Sequence, residues 1–175
     1  MQTKSLRETN PTKWLTVTAL FMAINVALSS FGVPVPGGHI YLNDIAICIA
    51  SILLDPLGAY LVGGFGAFLG DLIFYPTPMF VSLVTRGIQA IVIAVLSKKA
   101  AQPVKSRSIL AVSVGAVIMV LGYSIGRAFF YGTPAQTLAK LPFQIAQAAL
   151  GAVVAVVLIF RAGLLKVWDK FCAKK

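Results

Sequence analysis

The sequence predicts an all-α integral membrane protein: a single domain, 1–175, built as a six-transmembrane-helix bundle with N and C termini cytoplasmic. Three observations carry this. The 175 residues are 58% hydrophobic and 11% charged, where soluble domains hold about 25% charged residues, and the mean hydropathy is +0.89. The apolar residues fall in runs near the ~20 that cross a bilayer. The basic residues gather at the ends of those runs. That clustering also explains the net charge of +10 as topology rather than nucleic-acid binding.

The first span covers 14–31. Lys4, Arg7 and Lys13 precede it, and Ala27-Leu28-Ser29 resembles a signal-peptide cleavage site. The run is longer than a typical signal core, and the rest of the chain is itself membrane-embedded, so it reads as a span. Thr16, Ala19, Ala23, Ala27 and Ser30 recur every three or four residues, a stripe that permits close helix approach, within the bundle or to a partner. The loop after it, 32–40, holds no Lys or Arg and is rich in Gly and Pro. The second span, 42–54, is short for a ~30 Å core at ~1.5 Å per residue. It is tilted, begins earlier, or lies buried among its neighbours.

Asp55-Pro56 makes a tight turn into the third span, 57–74, whose Gly66 and Gly70 allow backbone contact. The fourth covers 78–96, the fifth 108–130 and the sixth 142–160, after a loop at 131–141. The tail, 161–175, sets Leu164, Trp168 and Phe171 apart from its lysines, as an interfacial helix does. Lys98, Lys99, Lys105 and Arg107 lie between spans four and five, and Arg161, Lys166, Lys170, Lys174 and Lys175 come after span six. With the N-terminal cluster they fall on one side, the cytoplasm, and Lys140 alone occupies a loop on the other. Cys48 and Cys172 have no metal or disulfide spacing.

Polarity inside the spans is lopsided. Asp71 lies ~5 Å and Arg86 ~12 Å below the outer ends of their helices, and Asp44 and Arg127 are also near outer ends. Asn25, Asn43, Gln144 and Gln147 share that half. Arg86 is flanked at helical spacing by Ser82, Thr85 and Gln89. Ionisable groups in hydrocarbon are costly and mark pockets or pathways. A channel or proton relay needs them throughout, whereas a pocket open to the outside needs them only on top. Structural ion pairs, Asp71 with Arg86 or Asp44 with Arg127, are the plain alternative. His39 is the only histidine, and no metal, serine-nucleophile or Walker motif is present. The chain is therefore expected to be no enzyme and to need no cofactor.

Leu42-Asn43-Asp44, Gly66-xxx-Gly70-Asp71-Leu72, Tyr75-Pro76 and Arg86-Gly87 resemble the substrate-binding (S) components of energy-coupling factor (ECF) vitamin transporters across nearly the whole chain. The branch that handles hydroxymethylpyrimidine or pyridoxine is nearest, with riboflavin and pantothenate branches nearby. Asn43 stands where that pattern more often has Gly, and Arg86 where it often has Lys. The resemblance implies capture of a small-molecule vitamin outside a bacterial cell membrane, toppling of a multi-pass protein, and ATP hydrolysis by two partner ABC ATPase subunits. It also implies docking of the Ala19, Ala23 and Ala27 stripe on a membrane-embedded, EcfT-type coupling subunit.

The expected substrate contacts are Arg86, Arg127, Gln144, Gln147, Tyr41, Tyr75, Tyr131, His39, Thr85, Gln89 and Asp71. The two arginines donate to hydroxyl or carboxylate oxygens, the glutamines read ring nitrogens or exocyclic groups, and the tyrosines stack on a heteroaromatic ring. Asp71 orients Arg86, and loops 32–41, 75–78 and 131–141 roof the pocket. A six-span scaffold of cell-wall or shape machinery, a phosphatidyl-transferase-like enzyme and a stand-alone transporter are the rivals. The enzyme would need clustered Asp, and the transporter internal repeats.

Overall fold

The computed structural model describes residues 6–36, 38–99 and 102–173. Lys4, Lys174 and Lys175, three of the charges that set the expected topology, lie outside them, as does Gly37 of the first outer loop. Among the described residues, eight helices and two short antiparallel hairpins run in order: α1 (Leu6–Thr9), α2 (Pro11–Ser29), β1 (Val33–Val35), β2 (Gly38–Ile40), α3 (Asn43–Leu53), α4 (Pro56–Phe74), α5 (Met79–Leu96), β3 (Lys98–Lys99), β4 (Gln102–Pro103), α6 (Lys105–Tyr131), α7 (Pro134–Phe160) and α8 (Leu164–Ala173). Five of them, α2, α4, α5, α6 and α7, are long and apolar enough to cross a membrane.

The helix α3 is the exception, and its burial explains it. Its 11 residues reach only ~16 Å, yet all but Ile45 are buried. It packs on α2, α5 and α7, a central strut inside the bundle rather than a lipid-facing span. Asp55, extended at ψ 166° before Pro56, ends it and starts α4. The other helices close around it: α2 packs on α4, α4 on α5, α5 on α6 and α6 on α7.

Small residues bring α4 close to its neighbours. A Cβ on Gly63 would stand 2.6 Å from that of Ala90, and one on Gly70 would stand 2.6 Å from Ser29 Oγ. Both contacts are too short to exist, so glycine is required there. At Leu61–Phe65 the helix widens into a π-turn, as α6 does at Arg127–Tyr131.

The last long helix corrects the sequence expectation. It starts at Pro134, not at 142, and takes up most of the expected 131–141 loop. Thr133 caps it, accepting from Gln136 N at 3.3 Å while Gln136 Oε1 accepts from Thr133 N at 3.1 Å. With Pro134 at the first helical position, this is a complete capping box. Pro142 sits inside the helix. Lys140 is therefore no loop residue: it is only 9% exposed and faces the bundle.

The two ends of the bundle differ. At one, Lys13 Nζ donates to the Phe171 carbonyl at 3.5 Å, Trp14 Nε1 to Asp55 and Lys98 Nζ to the Leu54 carbonyl. Trp168, Leu164 and Leu165 of α8 cover an apolar cluster of Ile49, Ile52, Leu53, Ile93, Val112 and Ile159. At the other end stand the β1–β2 hairpin, the 75–78 turn and the start of α7, and there the buried charges lie.

Candidate functional site

Asp44, in the first turn of α3 and 1% exposed, is the hub. Arg86 of α5 clamps it with both terminal nitrogens, Nη2 donating to Oδ2 at 3.1 Å and Nη1 to Oδ1. Gln147 of α7 donates to the same carboxylate, while its Oε1 accepts from Tyr41 N at 3.1 Å. Arg86 also donates to Gln89 Oε1 at 3.1 Å and to Tyr123 OH at 3.3 Å, with its guanidinium over the Tyr123 ring. Tyr123 OH lies 2.6 Å from Ser82 Oγ, which donates to Asp71. One polar chain thus runs from Asp71 through Ser82, Tyr123, Arg86, Asp44 and Gln147 to Tyr41, tying α3 to α7 together. A buried pair so completely hydrogen-bonded is held far better than a bare one.

Two expectations change here. Asp44, not Asp71, orients Arg86, because α3 stands against α5 at that level. Thr85 is off the site. It is turned about 100° from Arg86 on the helix and meets α6, where a Cβ on Gly122 would touch its side chain.

Beside this chain lies a cavity of about 40 Å³. His39, Tyr41, Asn43, Asp71, Tyr75, Arg86, Tyr123, Arg127, Tyr131, Lys140, Gln144 and Gln147 line it, with Pro78 and Met119. The space holds a few waters, so a larger solute enters only as the wall moves. Of the expected contacts, Gln89 stands one layer back, on Arg86, and Thr85 is absent; the others are all on the wall. Asn43, Tyr123 and Lys140 are wall residues that the sequence reading missed. The capping signal at 133–136 would have put Lys140 in a helix, four residues before Gln144.

The wall residues divide by what they have left to offer. Gln144 donates to the Val120 carbonyl at 3.0 Å and accepts from Arg127 Nη1 at 3.3 Å. Like Gln147 and Arg86, it is committed within the protein. Arg127 has only that hydrogen bond and one to Tyr131 OH at 3.4 Å, with its guanidinium 5.6 Å over the Tyr131 ring and no carboxylate partner among the described residues. His39 Nδ1 and Asn43 Oδ1 are buried without a hydrogen-bond partner among the described residues; Thr18, Asn25, Ser97 and Ser108 share that condition, but of the six only His39 and Asn43 line the cavity. The rings of His39 and Tyr75 meet edge to face at 5.5 Å. Burial, then the Asp71 charge, pushes the Tyr41 hydroxyl up.

The stripe on α2 faces away from all this. Ala19, Ala23 and Ala27 are exposed, while Val17, Thr18, Asn25 and Ser29 face the bundle. The stripe therefore does not pack on the protein's own helices.

The family model for the ECF-type riboflavin transporter, S component, matches residues 9–164. A protein of Pyrococcus woesei, described only as uncharacterised, is 31% identical over 134 residues, 75% of this chain and 88% of that protein. The chain belongs to the family of ECF-type transporter S components, integral membrane proteins of vitamin uptake. The scaffold reading finds no support in this assignment.

Proposed function

We propose that the cavity captures a small water-soluble vitamin or precursor with a single heteroaromatic ring, hydroxymethylpyrimidine or pyridoxine, and that the chain carries it across the membrane as the S component of an ECF importer. The observation that carries this is the wall itself. Unspent donors and acceptors on Arg127, Lys140, His39 and Asn43 face one void, together with the rings of Tyr41, Tyr75 and Tyr131. A single ring demands the least displacement of a 40 Å³ cavity. Arg127 and Lys140 hold the polar substituents, Tyr41 and Tyr75 flank the ring, and Arg86, Asp44, Gln144 and Gln147 keep the wall in place. The basic end lies in the cytoplasm by the positive-inside rule, so the cavity faces out. The exposed Ala19, Ala23 and Ala27 dock on the coupling subunit, and two partner ATPases supply the energy. Riboflavin is the second reading, favoured by the description of the matching family; pantothenate is a third.

The test is a thermal-shift panel of these four compounds on the detergent-purified protein. A single-ring vitamin should raise the melting temperature, and Arg127→Met should weaken its binding at least about tenfold, as loss of charge-assisted hydrogen bonds does. No shift with any compound, or unchanged binding by the variant, defeats the reading. Arg86→Ala is a poorer probe because it strands Asp44.

A further inference from the structure

The wall and the residue behind it hold three cations, Arg86, Arg127 and Lys140, against two carboxylates, Asp44 and Asp71. Asp44 is consumed by Arg86, and Asp71, which accepts only from the neutral Ser82, offsets one of the two remaining cations, so one positive charge is in excess. This leaves Arg127 with two long contacts to neutral groups. Lys140, nine-tenths buried, has no hydrogen bond or ion pair among the described residues. The two cations share one corner. Gln144, which touches Arg127, is one turn along α7 from Lys140, on the same face. Excess positive charge at this depth is costly unless an anion meets it. A neutral vitamin would leave it unmet.

We infer that the substrate carries an acidic group, a ring carboxylate or a phosphate ester, seated between Arg127 and Lys140. This rests on the uptake reading above and narrows it from ring vitamins to their acid forms.

Pyridoxine, pyridoxine 5′-phosphate and 4-pyridoxate present one ring with a neutral, a phosphate and a carboxylate substituent. Isothermal titration of each into the purified protein at pH 7.5 gives the ratio of acid to neutral affinity. At least one acid should bind about tenfold or more tightly than pyridoxine, and which one identifies the anion. Lys140→Met should cut that ratio about tenfold, and Lys140→Arg should keep it. A monodisperse gel-filtration peak verifies that each variant is folded. Pyridoxine binding as tightly as both acids, or a ratio untouched by Lys140→Met, overturns the inference and leaves the uptake reading standing. Binding of none of the three overturns the inference, and the uptake reading then falls only if the thermal-shift panel is also blank.

Discussion

The two halves of this bundle solve the same packing problem with opposite chemistry. The half towards α8 is filled by Ile49, Ile52, Leu53, Ile93, Val112 and Ile159, with the charged groups of Asp55 and Lys98 at its rim. The other half buries Asp44, Asp71, Arg86, Arg127 and Lys140 around a void. In a membrane, apolar packing gains little over lipid and charges cost more. A fold selected for stability alone would be apolar at both ends. The polar half is where the proposed site lies, and its stability rests on one clamp, Arg86 on Asp44.

Substitutions in the two halves should part company. Asp44→Asn strands a buried guanidinium and should cost about 3–5 kcal/mol, read as thermal unfolding in detergent, with loss of vitamin binding. Arg86→Met added to it should recover part of the stability and none of the binding. Equal losses for the single and double variants would show that the clamp does not hold the site. Ile52→Ala, in the apolar half, should cost about 2 kcal/mol, the low end for such truncations because lipid is as apolar as the core. Vitamin affinity should stay within about twofold; a larger change would mean the halves are coupled.

The smallest effect belongs to the rim. Burial lowers the Lys98 ammonium from 10.5 to about 8, against the pull of Asp55. Between those values the folded protein binds fewer protons than the unfolded chain. Stability should therefore rise as pH goes from 8 to 10.5, the penalty being full below 8. Lys98→Met should flatten that rise in melting temperature, and an unchanged slope would assign it to another group.

The long helices are legible in the sequence because unbroken apolar runs leave few choices in lipid. The bounds 57–74 and 78–96 fall within a residue of α4 and α5. What is not legible depends on neighbours. Asp44 and Asp71 are equally plausible partners for Arg86 until α3 is placed against α5. Ser82 and Arg86, four apart, face the site, whereas the intervening Thr85 turns to α6. Short α3 reads as a weak span because periodicity does not tell a strut enclosed by helices from one facing lipid. Lys140 escapes for a different reason. Its signal, Thr133-Pro134-Ala135-Gln136, is in the sequence, but Pro142 offers a competing helix start that leaves Lys140 in a loop.

The central claim is that ligand binds at the charged end and nowhere else. Hydrogen–deuterium exchange on the purified protein, with and without a saturating vitamin, tests it peptide by peptide. Protection should appear at 32–42, 75–79 and 131–140, with none at 97–107 or 161–173. Protection at the basic end, or no difference at the charged end with ligand bound, would contradict the account.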